Sequence, residues 1–86
     1  MLEILYSSKF LRQYKKLPPN IKDLVELRQD IFFQDPFDSR LRTHKLQGSF
    51  EGCYAYSINY SYRIIFKFLD GQIILLLTVG KHDIYN

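Results

Sequence analysis

The chain has one cysteine, Cys53, which excludes an intrachain disulfide framework and any cysteine-based zinc site. Small secreted domains usually depend on such cross-links, so a reducing compartment is expected. Long apolar runs are missing too. The longest uninterrupted one covers residues 73–77, against the ~20 residues that a membrane-spanning helix needs. Glu3 lies among the first residues with no long apolar region behind it, which is not the pattern of a signal peptide. These absences together predict a cytoplasmic protein. No internal repeat or low-complexity stretch occurs, and the four glycines form no phosphate-cradling loop. No His, Cys or carboxylate spacing matches a metal site, since His82-Asp83 is a bare dipeptide. Neither a metal nor a cofactor is therefore expected.

What is present is a short, aromatic-rich chain. Its 86 residues are 47% hydrophobic, with seven Tyr and seven Phe, a composition that excludes disorder. The length predicts one domain spanning residues 1–86. Such a chain buries roughly 60–65% of its unfolded surface, which leaves little room for a deep enclosed pocket. The net charge of +3 is unevenly distributed. Residues 1–22 carry +4, residues 23–38 carry −4 with Arg28 as their one cation, residues 39–67 carry +4, and the remainder −1. Two basic segments thus flank an acidic one, and a basic patch suits a polyanion.

The hydrophobic periods predict the element order. Leu2, Ile4 and Tyr6 alternate as a short strand. Ser7 and Ser8 offer N-caps to a helix on which Phe10, Leu11, Tyr14 and Leu17 form the apolar side and Lys9, Arg12 and Lys16 the basic one. Pro18-Pro19 ends it. Asn20 is a candidate cap for a second helix, carried by Ile21, Leu24, Val25, Ile31 and Phe32 and closed by Asp35-Pro36. The tight connection makes the pair an antiparallel hairpin. A long loop over residues 37–51 holds Arg40, Arg42, His44, Lys45 and Gly48, and loops of that length are often functional. Three strands follow. Tyr54, Tyr56 and Ile58 mark the first, and Tyr62, Ile64, Phe66 and Phe68 the second. The third is residues 73–79, apolar on both faces as a central strand is. Asp70-Gly71 is a strong hairpin signal between the last two. The expected fold is α+β: a small two-layer domain with an N-terminal strand, a helical hairpin and a three-stranded antiparallel meander.

Strand parity sorts the candidate chemistry. If Tyr62, Ile64, Phe66 and Phe68 face the helices, then Arg63 and Lys67 point the other way. The preceding loop adds His44 and Lys45, and the tail adds Lys81, His82 and Tyr85. A meander can bring these to one end of the sheet. Two imidazoles, a guanidinium, ammonium groups and a phenol suit RNA cleavage by internal attack. Histidine serves as base or acid near neutrality, Arg offers phosphate a bidentate fork, and tyrosine can stack on an unpaired base. Tyr54 and Tyr56 read as packing residues and Cys53 as a small buried hydrophobe.

The order of short blocks resembles the RelE/ParE superfamily of type II toxin–antitoxin toxins, closest to the RelE/YafQ-type mRNA interferase branch. The resembling segments are Tyr6-Ser-Ser-Lys-Phe10, Tyr14-Lys-Lys-Leu-Pro18, Asp35-Pro36-Phe37, Thr43-His-Lys-Leu-Gln-Gly48, Ile58-Asn-Tyr-Ser-Tyr-Arg-Ile-Ile-Phe66 and Val79-Gly-Lys-His-Asp-Ile-Tyr85. The resemblance implies the strand–helix–helix–meander fold and a metal-independent endoribonuclease cutting mRNA, generally in the ribosomal A site. It also implies a cognate antitoxin that wraps and blocks the toxin. Residue by residue, Arg63 falls at the strand arginine used on the scissile phosphate, and His82 where an Arg or His acts on the leaving group. Tyr85 falls near a functional terminal aromatic, and His44 at a histidine of the YafQ-type subgroup. Arg42, Lys45, Lys67 and Lys81 complete the RNA-binding candidates. The chain departs from the pattern where RelE-type members carry lysines, having Ala55 and Ser57, and where YafQ-type members carry His and Asp, having Ser57 and Ser61. His44 is then the candidate base, with Lys45 as its electrostatic helper. Two alternatives stand beside the nuclease: a ParE-like toxin that inhibits DNA gyrase without catalysis, and a degenerate toxin that only binds its antitoxin.

Overall fold

The computed structural model describes residues 2–85. Strand β1 (Glu3–Tyr6) leads into helix α1 (Ser8–Lys15), and helix α2 (Pro19–Gln34) follows after a short connection. Four more strands complete the sheet: β2 (His44–Lys45), β3 (Tyr54–Ser57), β4 (Arg63–Phe68) and β5 (Ile73–Gly80). Their spatial order is β1-β5-β4-β3-β2. The three-stranded meander is as expected, and β1 joins it parallel to β5, a pairing that needs the long crossover the helices provide. The long loop is less irregular than its composition suggests. His44 and Lys45 form a fifth, edge strand antiparallel to β3, framed by short 3-10 turns at Ser39–Leu41 and Gly48–Phe50. No helix among the described residues is long and apolar enough to cross a membrane.

Both helices cover the face that bears Ile64 and Phe66. Phe10, Ile21, Val25 and Phe32 from the helices pack with Tyr56, Ile58, Ile64, Phe66, Ile74, Leu76 and Val79 from the sheet. Phe32 is central, stacked on Tyr56 at 4.5 Å between centroids and edge-on to Phe66 at 4.8 Å. Tyr56 is fully buried, which raises its pKa, and so is a packing residue as expected. In β5 a bulge between the registers Ile65↔Thr78 and Phe66↔Leu76 inserts Leu77. The extra residue lets Ile74, Leu76 and Val79 all reach the core although strict alternation would turn Val79 outward.

Three local expectations need correction. Asn20 does not cap α2; the helix begins at Pro19 with Pro18 in the cap position. Proline is suited to the first helical residue because its missing N–H would be unpaired there anyway. Leu11 is 48% exposed and lies off the apolar side of α1. Cys53 is half-buried rather than enclosed.

Ser7 is the α1 cap, and it does more than close a helix. Its Oγ accepts from the Phe10 N–H at 2.9 Å and donates to the Leu77 carbonyl at 2.7 Å, tying the helix start to β5. Beyond the end of β1, Gln13 takes over that edge of β5. Its Oε1 accepts from the Val79 N–H at 2.9 Å and from the Thr78 hydroxyl at 2.7 Å. Ser7→Ala removes both a cap and a cross-link, and the expected loss of stability is about 1–2 kcal/mol. At roughly 4–8 °C per kcal/mol for a domain of this size, thermal unfolding measures it directly.

Candidate functional site

Register assigns the site residues to faces. His44 pairs with Ala55, Ala55 with Ile65, and Ile65 with Thr78, so this row shares one side of the sheet. The next row on the same side is Ser57, Arg63 and Gly80. Lys45 belongs to the row beyond His44, farther from Arg63, with Tyr54, Phe66 and Leu76 on the helix side. Being consecutive on a strand, His44 and Lys45 face opposite ways. His44 thus shares the side of Arg63, and Lys45 does not. Lys67 shares it too, but four residues along β4 from Arg63, a distance of about 13 Å. Two strand spacings and two residues separate His44 from Arg63, which gives about 12 Å between their Cα atoms. The space between is taken by Ala55 and Ile65, both fully buried.

Arg63 is held by the hairpin turn that precedes its strand. One terminal nitrogen, Nη1, donates to the carbonyls of Asn59 at 2.6 Å and of Tyr60 and Tyr62 at 3.1 Å each. The turn is itself fixed by Asn59, whose Oδ1 accepts from the Ser61 and Tyr62 N–H groups at 2.9 and 2.8 Å. A guanidinium has five N–H donors, so these bonds orient Arg63 while leaving Nε and Nη2 for a ligand. Asn59 is the positioning residue here, and the sequence showed it only as part of a turn.

Beside Arg63 lies a cleft of about 320 Å³, lined by Arg28 of α2, Arg40, Arg42, Ser57 and Tyr60 among others. Four arginines line one small space, and such a concentration of like charge suits an anion. Among the described residues the only ion pair is Arg40 with Asp38, at 2.9 Å. Arg40's side chain and backbone N–H both hydrogen-bond Asp38 and hold its carboxyl down at about 2. Of the residues lining the cleft, sequence marks only Arg42 and Arg63 as site candidates; the structure adds Arg28, Arg40 and Tyr60. Arg28 has a signal, as the one cation among the acidic residues 23–38; nothing in its spacing links it to residue 63.

His44 is exposed on the edge strand. Its Nδ1 lies 3.0 Å from the Arg42 carbonyl. A carbonyl only accepts, so Nδ1 carries the hydrogen and Nε2 of the neutral ring bears the lone pair. Arg42 supplies that carbonyl from a left-handed backbone, φ 53°, a conformation costing a non-glycine residue about 1 kcal/mol.

The last strand ends at Gly80, and a 3-10 turn follows over His82–Tyr85. Gly80 lets Ile84 pack close: a Cβ at position 80 would stand 2.5 Å from Ile84 Cγ2, so that side chain or the turn would have to shift. Tyr85 is half-buried near Arg63. Burial raises its pKa while the Arg63 charge pulls it down, and burial wins, so the phenol stays protonated at neutral pH. His82 is exposed, two residues past Arg63's partner Gly80. Lys81 Nζ lies 5.6 Å from the Tyr62 ring centroid, a cation–π contact. Tyr62 packs against the helix-side core, so this contact draws Lys81 away from the Arg63 side.

No protein-family model and no curated relative matches the chain. Solved structures do. YafQ from Escherichia coli strain BL21(DE3) superposes with a TM-score of 0.76 at 20% identity, covering 99% of this chain and 98% of that one. The YoeB/ParE toxin from Agrobacterium tumefaciens gives 0.78 at 13% identity, covering 94% and 99%. YafQ in the E. coli DinJ–YafQ toxin–antitoxin complex gives 0.73 at 22% identity, covering 96% and 94%. The order β1-β5-β4-β3-β2 beneath a helical hairpin is therefore the fold of the YafQ and YoeB toxins, present here over nearly the whole chain.

Proposed function

We propose that this protein is the toxin of a toxin–antitoxin pair and acts as a metal-independent endoribonuclease on mRNA, in the ribosomal A site. The observation that carries the reading is Arg63, oriented by three carbonyls, half-buried and without a carboxylate partner among the described residues, with Tyr85 close by. In the reaction, His44 Nε2 takes the proton of the 2′-OH as its oxygen bonds to phosphorus. Arg63 stabilises the charge on the phosphoryl oxygens. His82 gives a proton to the 5′-oxygen as the P–O5′ bond breaks. Tyr85 donates a hydrogen bond and positions the nucleotide. Arg42, which lines the same cleft as Arg63, binds the flanking phosphate.

An antitoxin partner is supported by the DinJ–YafQ likeness and by the surface. Lys9 and Arg12 are exposed on α1, next to exposed Leu11 and to Leu5 and Tyr6 of the edge strand β1. An acidic and apolar antitoxin segment fits there, folding as it binds. Strand β5 is not itself open for this role, being flanked by β1 and β4.

Ala55 and Ser57 favour a second reading. They put no titratable group between His44 and Arg63, as in a ParE-like toxin that inhibits gyrase or a degenerate one that only binds its antitoxin. Expression in bacteria without an antitoxin separates the three. The nuclease arrests growth and shortens mRNA. Arrest with intact mRNA and damaged DNA points to gyrase, and normal growth to a binding module.

A further inference from the structure

Four features of the arginine cleft go beyond the chemical step above, to which Arg42 gives only a flanking phosphate contact. Arg28, Arg40 and Arg42 come to the cleft from α2 and the segment after it. Arg28 reaches the Arg40 carbonyl through Nη1 at 3.1 Å, while its buried Nε has no partner among the described residues. The backbone strain at Arg42 is of the kind that persists where surrounding structure and function demand it. Tyr60, 91% exposed at the tip of the β3–β4 turn, stands on the rim of the same cleft. An aromatic so exposed stabilises nothing in the fold, yet it offers a free face beside concentrated positive charge. Cations that track a backbone next to a ring on which a base can stack are the two elements of single-strand binding. We infer that Arg28, Arg42 and Tyr60 form a nucleotide subsite for single-stranded RNA, next to Arg63, with a phosphate in the cleft and an unpaired base stacked on Tyr60.

This subsite rests on the ribonuclease reading for its ligand class but not for its test. The probe is a fluorescein-labelled 2′-O-methyl single-stranded RNA, which has no 2′-OH to attack and cannot be cut. Its affinity is measured by anisotropy over a salt series. Tyr60→Ala is expected to weaken binding about 5- to 150-fold, and Tyr60→Phe to bind as the wild type. Arg42→Gly suits the left-handed backbone, so it should melt with the wild type. It should lower the slope of log affinity against log salt by about 0.7, the value of one phosphate contact on a single strand. Lys9→Ala, on the far helix, is the charge control. Unchanged affinity in Tyr60→Ala overturns the subsite. So does absence of wild-type binding, or equal weakening by all variants toward inorganic polyphosphate, which has no base to stack. Cleavage of an unmodified strand is followed in parallel. If the wild type does not cut but Tyr60→Ala loses binding, the subsite stands and the nuclease reading falls. If the wild type cuts and Tyr60→Ala binds and cuts equally well, the subsite alone falls.

Discussion

Arg63→Ala is expected to lower the rate of RNA cleavage by about 10²–10³, the usual cost of removing a donor aimed at developing transition-state charge. The loss should appear in single-turnover rates and, in cells, as release from growth arrest and return of full-length mRNA. The fold should survive. Arg63 projects from the side of the sheet away from the helices, and Ile64 and Phe66 keep β4 in the core. The turn loses three bonds to Nη1 but retains the two that Asn59 accepts. Arg63→Lys keeps the charge without the planar fork, so it should recover only part of the rate. Asn59→Ala should move in the same direction by less, because it acts through the aim of Arg63. It should also speed hydrogen exchange at the Ser61 and Tyr62 amides. An Arg63→Ala protein with an unchanged melt and undiminished cleavage would remove Arg63 from the chemistry and leave the gyrase and binding readings.

The fold was legible because its signals are local and mutually consistent. Ser7 before a 3.6-residue period, the prolines at 18 and 19, Asp35-Pro36 and Asp70-Gly71 each mark a boundary that backbone chemistry dictates. The parity of Tyr62, Ile64, Phe66 and Phe68 set which side carries Arg63. What sequence did not reveal depends on register and on reach. A two-residue strand has no period, so residues 44 and 45 carry no strand signal, and the opposite facings of His44 and Lys45 follow only from their pairing with Ala55 and Tyr54. The bulge at Leu77 is invisible in an apolar run, since any register of that run looks equally buried. The arginine cleft gathers residues 28, 40, 42 and 63 from three separate elements, and no spacing rule connects them. Lys81 illustrates the reverse case. Composition put it with the other cations, but the ring of Tyr62 gives its ammonium group a nearer partner.

If His44 and His82 are base and acid, cleavage requires the first neutral and the second protonated, and the pH profile under single-turnover conditions should be bell-shaped. Imidazole acid–base chemistry belongs to the range of about pH 5 to 8, so the profile is followed over that range. The rate rises on the acid side as the base loses its proton and falls on the alkaline side as the acid loses its own. Tyr85 adds no limb within this range. Its pKa is raised by burial, so the phenol remains protonated across the bell, and Tyr85→Phe should lower the curve without changing its shape. His44→Ala should abolish the acidic limb and His82→Ala the alkaline one, each at a cost of about 10²–10⁴ in rate. The double variant should lose little more than either single one, because both groups serve one step. The bond from His44 Nδ1–H to the Arg42 carbonyl adds a structural condition. It sets Nε2 as the basic atom, and Arg42→Gly preserves that carbonyl, so it should leave both limbs in place while weakening binding. A His44→Ala protein that cuts at the wild-type rate with its acidic limb intact would exclude His44 as the base. Lys45 is poorly placed to substitute, since it faces the helix side of β2 and Arg63 the other. The proton would then have to pass to solvent over Ser57, the one polar side chain paired with Arg63 in the sheet.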